Sequence, residues 1–344
     1  MKTRLLTASD ADLDIAAALL KQGELVGIPT ETVYGLAADA KNGEAVAAIF
    51  RAKGRPQDNP LIVHIADMSA LSELAAEIPQ KALALASVYW PGPLTMIFKK
   101  SGVIPPEVSA GLDTVAVRMP AHPVAAALIR KSGCPLAAPS ANRSGIPSPT
   151  DAARVMEDMD GRIAAVVDGG ECAVGVESTV VDMTAPVPRL LRPGGITPDM
   201  LRAVVGEITV DPAVLNRLAD GARAASPGMK YTHYSPKARV VLLRGSAADY
   251  IRFVNARAGE EGACALCFTE DEPLIRIPTV TYGSRLDDRT QAHGLFEALR
   301  RLDEAGVKTA YAAAPVPTGL GLAVYNRIVR AAGFEVVDLD GTDG

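Results

Sequence analysis

The stretch Glu24-Leu25-Val26-Gly27-Ile28-Pro29-Thr30-Glu31-Thr32-Val33-Tyr34-Gly35 changes character at Pro29. Its first five residues are an apolar run of strand length, and the turn formers Pro29 and Gly35 then bracket polar side chains. That is the arrangement expected where a strand end presents groups to a ligand. Upstream, a cap at Ser9 or Asp10 and a stop at Gly23 delimit a helix. Downstream the alternation continues, with a helix near 45–52, a strand at 61–65, one long Ala- and Leu-rich helix before Trp90, and strands at 94–98 and 114–119. A helix at 123–131, a strand at 135–139, a Pro-, Ser- and Gly-rich loop at 140–150, a helix at 151–159 and strands near 163–167 and 178–182 follow. An α/β or α+β domain is predicted, with the direction of strand pairing left open.

A helix at 198–205 and another reaching 224 lead into Ser226-Pro-Gly-Met-Lys-Tyr-Thr-His-Tyr-Ser-Pro236, a polar, aromatic, proline-bounded segment that reads as a linker. Beyond it, strands at 239–243, 263–268, 310–314 and 334–339 take turns with helices at 247–258, 292–305 and 322–332, the pattern of a small doubly wound domain. At 344 residues the chain exceeds what one core usually organises. We therefore expect residues 1–225 as one domain, 226–237 as a linker and 238–344 as a second domain.

A net charge of -5 argues against coating nucleic acid through many phosphate contacts, although a local basic pocket is compatible with it. The first ten residues turn acidic before an apolar signal core develops, and no later run would span a bilayer, so a soluble cytoplasmic protein without membrane contact is expected. The four cysteines, Cys134, Cys172, Cys264 and Cys267, are too few and scattered for a disulfide framework. Cys264 and Cys267 form a lone C-x-x-C inside an apolar run, which fits buried strand cysteines better than a metal site.

No G-x-x-x-x-G-K-[ST] loop is present. Gly319-Leu-Gly321 follows a strand and opens a helix but lacks a third glycine, which makes it a tight turn. Arg51, Lys53 and Arg55 cluster at a helix end, either as a solvated terminus favoured by the helix dipole or as a clamp for a triphosphate. His64 lies inside an apolar strand, as a satisfied core residue or a ligand contact. Arg118 ends a similar run and needs an anionic partner, an internal Asp or Glu or a substrate carboxylate. Arg192-Pro-Gly-Gly195 places a cation beside a glycine turn, and Ser140-Ala-Asn142 sits where small residues permit close backbone approach.

Taken in order, residues 29–35, Lys53-Gly-Arg55 with Asn59-Pro-Leu-Ile-Val-His64, Pro91-Gly-Pro-Leu-Thr95, Val115-Ala-Val-Arg-Met-Pro120, Pro139-Ser-Ala-Asn142, Val176-Glu-Ser-Thr-Val180 and Arg192-Pro-Gly194 resemble the threonylcarbamoyl-adenylate synthase family. The linker, Gly319–Gly321 and Asn326-Arg327 extend the resemblance to its long two-domain form. It implies a YrdC-like twisted open α/β sheet with a concave basic cavity, plus a smaller C-terminal Rossmann-like α/β domain. By the same resemblance Thr32, His64, Arg118, Ala138 and Ser178 would contact L-threonine, Ala138 through its backbone. Arg55, Asn59, Thr114, Ser140, Ser148 and Arg192 would contact ATP, with Lys53 and Asn142 nearby and Lys230 and Tyr231 closing over the nucleotide. Lys53 and Arg55 would be the catalytic pair, and the linker would act as a lid. The implied substrates are ATP with Mg2+, L-threonine and bicarbonate, with no other metal, and the implied consumer is a tRNA threonylcarbamoyl transferase. An RNA-binding module without nucleotidyl transfer is the competing role; a hydrogenase-maturation carbamoyltransferase would need further domains and paired C-x-x-C motifs.

Overall fold

The computed structural model describes residues 2–217 and 234–339, arranged around two sheets. The larger has eleven strands: β1 (Arg4–Leu6), β2 (Val26–Ile28), β3 (Gly35–Asp39), β4 (Ile62–His64), β5 (Leu94–Lys99), β6 (Thr114–Arg118), β7 (Leu136–Ala137), β8 (Ala165–Val167), β9 (Thr179–Asp182), β10 (Arg189–Arg192) and β11 (Thr209–Val210). Their order is β1-β8-β2-β3-β7-β4-β6-β5-β9-β10-β11, with parallel and antiparallel neighbours mixed.

Side-chain caps set the helices around it. Ser9 accepts from the Asp12 amide to open α1 (Asp10–Lys21), and Asn42 accepts from Glu44 and Ala45 to open α2 (Gly43–Lys53). The long helix expected before Trp90 is instead two, α3 (Leu71–Leu74) and α4 (Gln80–Tyr89), because Pro79 lacks the amide hydrogen that a continuous helix requires. Next come α5 (Pro106–Ser109), α6 (Pro123–Ser132), α7 (Ala152–Met159) and α8 (Pro198–Val205). The strand expected at 135–139 shrinks to two residues between Pro135 and Pro139. Strands β1, β3, β10 and β11 were not expected, and Arg192 ends β10 rather than sitting in a surface loop. Of the helix expected to reach 224, a single turn at Pro212–Val214 is present, and residues from 218 lie outside the described residues.

The second sheet comprises β12 (Arg239–Arg244), β13 (Ala263–Cys267), β14 (Thr279–Thr281), β15 (Thr309–Ala313) and β16 (Val336–Asp338), in the order β14-β13-β15-β12-β16. All its pairings are parallel, and α9 (Ala247–Asn255), α10 (Asp288–Glu304) and α11 (Gly321–Ala331) supply the crossovers. Cys264 and Cys267 are buried on β13, where burial pushes their thiols up to about 11 and about 12, so they are inert core residues. Gly319 is left-handed and Gly321 donates its amide to Asp288, which makes this segment the tight turn expected.

Every residue of α11 is buried, including Asn326, Arg327 and Arg330. A helix of this polarity can be buried on all sides only if its polar groups find partners, and it finds them in the other unit. Asn326 donates to Val214 O at 2.6 Å and Arg330 to Ala213 O at 2.7 Å. On α10, Arg300 pairs with Asp158 and donates to Pro147 O, both at 2.7 Å. Gly175 (φ +81°) packs against α10 so closely that a Cβ there would fall 2.4 Å from His293 Cα. Two cores thus share a polar seam. Removing Arg300 leaves Asp158 buried without its cation, and Arg300→Ala is expected to cost roughly 3 kcal/mol. A lowered urea midpoint would report that loss, whereas an unchanged one would mean the pair contributes nothing.

Candidate active site

The strand order places the ends of β4, β6, β5, β9 and β10 side by side. His64 is in register with Arg118, Arg118 with Thr95, Thr95 with Val180 and Val180 with Arg192. Because side chains alternate along a strand, His64 and Arg118 emerge on the face of Ile62 and Ala116, while Val63 and Val117 face the main core. The loop 29–35, the end of α2 and the loop 139–146 close over this sheet end and leave a cavity of about 750 Å³ including its open mouth. Among the described residues its lining carries Lys53, Arg55, Arg118 and Arg192 against the carboxyl of Glu177, so basic groups outnumber acidic ones and the cavity suits an anion.

Arg118 is buried, with hydrogen bonds from Nε and Nη1 and an ion pair from Nη2. It donates to Thr32 Oγ1 at 2.8 Å and to Gly92 O at 3.3 Å, and its Nη2 lies 2.8 Å from Glu31. The internal glutamate is thus its partner here. Burial raises the Glu31 carboxyl, but Arg118 outweighs that and holds it below its ordinary value. His64, beside Arg118, is pushed down to about 3 by burial, aided by the Arg118 charge, and is neutral. Ala138 lines the cavity with its amide committed to Ile62 O at 3.0 Å, which leaves its carbonyl for a ligand.

Lys53 is not a solvated helix terminus. Its ammonium is buried on the carbonyls of Ser140 and Asn142, and Asn142 Nδ2 in turn donates to Arg143 O and Ile146 O at 2.8 Å. Burial, and then the Arg55 charge, push Lys53 well below its ordinary value. Arg55 borders the cavity with its guanidinium 6.0 Å from the Phe50 ring centroid. Ser178 shares a hydrogen bond with Thr95 at 2.7 Å and accepts from Arg192 at 3.1 Å. Burial lowers Arg192 to about 10, against the opposing pull of Glu177.

Of the residues singled out from sequence, Thr32, Lys53, Arg55, His64, Arg118, Ala138, Ser140, Asn142, Ser178 and Arg192 meet around this one cavity. Asn59, Thr114 and Ser148 are not on its lining. Asn59 is buried with its amide unpartnered among the described residues, and Thr114 starts β6 at the end opposite Arg118. Ser148 donates to Glu177 at 2.6 Å. Lys230 and Tyr231 lie outside the described residues. Glu31, Glu177 and Tyr234 were missed as site residues. Glu31 and Glu177 lie inside quoted motifs, and Tyr234, buried beside the cavity, lies in the aromatic linker segment 226–236.

An open α/β sheet whose strand ends carry a cation-rich cleft defines a protein built to bind an anionic ligand. Residues 18–194 match the family described as "Telomere recombination" and residues 196–333 match "Threonylcarbamoyl-AMP synthase, C-terminal domain". The threonylcarbamoyl-AMP synthases of Bacillus subtilis and Pyrococcus abyssi are each 47% identical, over 96% and 94% of this chain and the same shares of theirs. The crystal structure of P. abyssi Sua5 complexed with L-threonine superposes with a TM-score of 0.91 at 44% identity, covering 98% of this chain and 99% of that one. The chain belongs to the threonylcarbamoyl-AMP synthase family, and its fold is the YrdC-like one with a second α/β domain.

The neutrality of His64 has a pH signature. The unfolded chain takes up a proton near 6.5, whereas the folded protein does so near 3. The stability tied to this group is therefore complete above pH 6.5 and is lost as pH falls toward 3, at up to about 1.4 kcal/mol per pH unit. Urea midpoints measured between pH 7 and 4.5 should fall more steeply for the wild type than for His64→Gln; parallel curves would mean that His64 is charged when folded.

Proposed function

We propose that the chain joins L-threonine, bicarbonate and ATP into threonylcarbamoyl-AMP and pyrophosphate in the cavity described above, for N6-threonylcarbamoyladenosine formation at position 37 of tRNA. The observation that carries the assignment of roles is the convergence of Thr32, His64 and Arg118 with Lys53, Arg55 and Arg192 on one cavity. The threonine carboxylate binds Arg118, displacing or sharing its contact with Glu31, while Thr32, Ser178 and the Ala138 carbonyl hold the remainder of the amino acid. Neutral His64 adds no second positive charge beside the amine, which must be unprotonated to react. The amine and bicarbonate give a carbamate with loss of water, and a carbamate oxygen attacks the α-phosphorus of ATP as the bond to pyrophosphate breaks.

That step needs positioning and charge neutralisation rather than a covalent enzyme intermediate. Arg55 and Arg192 meet the phosphates, and Lys53 shapes the loop carrying Ser140 and Asn142 against them. Lys230 and Tyr231 close over the nucleotide, and Asn59, Thr114 and Ser148, outside the cavity lining, serve it more remotely. Magnesium enters with ATP as part of the substrate. Residues 1–225 form the synthase unit, 226–237 the linker and 238–344 the second domain, and the product passes to a tRNA threonylcarbamoyl transferase in the cytoplasm. No helix among the described residues is long and apolar enough to cross a membrane.

Pyrophosphate release should require both L-threonine and bicarbonate, with the adenylate visible by mass spectrometry. A folded protein that releases none, yet binds tRNA tightly, would favour the RNA-binding role. Arg55→Ala should lower kcat roughly 100-fold, in the range seen for loss of one transition-state donor. Arg118→Ala should raise the threonine KM at least about tenfold through loss of a charge-assisted contact. Near-normal kinetics in either variant would remove that residue from its role.

A further inference from the structure

Arg327 belongs to α11 of the second unit, has no exposed surface, and reaches into the active-site framework of the first. Its Nε donates to Glu177 Oε2 at 2.9 Å, Nη2 to Glu177 O at 3.2 Å and Nη1 to Pro193 O at 2.7 Å. Glu177 precedes Ser178 and Pro193 follows Arg192, so one guanidinium grips the backbone beside two cavity residues. Those segments are themselves in contact, because a Cβ on Gly194 would fall 2.4 Å from Thr179 N and 2.7 Å from Glu177 O.

The second oxygen of Glu177 receives Ser148 Oγ at 2.6 Å. With both carboxylate oxygens engaged, Arg192 donates instead to Ser178, from Nε to the carbonyl at 3.0 Å and from Nη2 to Oγ at 3.1 Å. Burial would raise the Glu177 carboxyl, but Arg327 first and Arg192 second hold it below its ordinary value, so both arginines feel the same carboxylate. Among the described residues Arg327 and Arg192 thus share one buried carboxylate, Glu177, at the cavity wall.

We propose that Arg327 is a positioning residue for the synthase reaction: by neutralising Glu177 it keeps Arg192 on Ser178 and facing the cavity, where the Arg192 charge meets the nucleotide phosphates. The second domain thereby tunes the nucleotide subsite of the first, and the inference rests on the nucleotide role of Arg192 proposed above. Without Arg327, Glu177 turns to Arg192, because a buried carboxylate is too costly to leave without a cation. Arg192 is then neutralised and loses its attraction for phosphate. Among the described residues Arg327 makes no hydrogen bond or ion pair with Arg118 or Thr32, so the threonine subsite feels its loss only through Ser178.

Steady-state pyrophosphate release, with ATP and L-threonine varied separately, tests this. Arg327→Met is expected to raise the ATP KM by roughly tenfold or more and the threonine KM by clearly less, since only Ser178 of the threonine contacts adjoins the change. Adding Glu177→Gln to that variant should restore most of the ATP affinity, because a neutral amide does not capture Arg192. A double variant as impaired as Arg327→Met, or equal rises in both KM values, would overturn the proposal and leave Arg327 a docking contact. If Arg327→Met does not fold, Arg327→Lys, which keeps the charge without the fork, should show a smaller rise that Glu177→Gln removes; a rise that persists overturns the proposal. Arg192→Ala separates the two levels. If it leaves the ATP KM unchanged, the nucleotide role of Arg192 fails; if it raises the KM while the Arg327 variants behave as wild type, positioning by Arg327 fails.

Discussion

Buried positive charge organises this molecule. Lys53, Arg118, Arg192 and Arg327 are each withdrawn from water, and a withdrawn cation costs several kcal/mol unless oxygens replace its hydration. The oxygens that do so belong mostly to the loops around the cavity. Lys53 gathers the carbonyls of Ser140 and Asn142, Arg118 ties the loop 29–35 to Gly92, Arg192 holds Ser178, and Arg327 holds Glu177 and Pro193. The irregular backbone around the cavity is thus fixed by charge satisfaction together with the packing of Tyr34, Ala141 and Val176 into the cores. An anionic substrate entering there meets groups already fixed in place, so less ordering remains to be done on binding.

The sheet supplies the rest of that preorganisation. A mixed order that brings β4, β6, β5, β9 and β10 together turns five separate strand ends into one wall. Beneath it, Val63, Val117, Met96 and Phe98 pack into the main core, and rigid packing under a site limits how far its side chains can drift.

Strands rich in β-branched residues, such as those ending at His64 and Arg118, could be read directly, because their two-residue period is a local property of the chain. Strand β3, Gly-Leu-Ala-Ala-Asp, could not, since Gly and Ala have weak strand preference and its place comes from pairing with β2 and β7. Two-residue strands such as β7 and β11 carry no period at all. The cations of the site were legible by residue type and by their ordered motifs, but their partners were not. Glu177 and Arg327 are 150 residues apart, and Arg118 and Glu31 are 87 apart, separations over which no local pattern speaks. Thr114 illustrates the converse: it lies in a quoted strand and on the same face as Arg118, but at the far end of that strand.

Gly175 stands three residues before Ser178, in a left-handed backbone with a neighbouring helix where its side chain would be. Any larger residue there has to move α10, and with it the unit that also carries α11. A random mutational screen for lost activity would therefore mark 175 as intolerant alongside 177 and 178, the first two through contacts with the second unit and the third through the cavity. Tolerance maps of this segment report the fit between two halves of the molecule as much as the chemistry inside one of them.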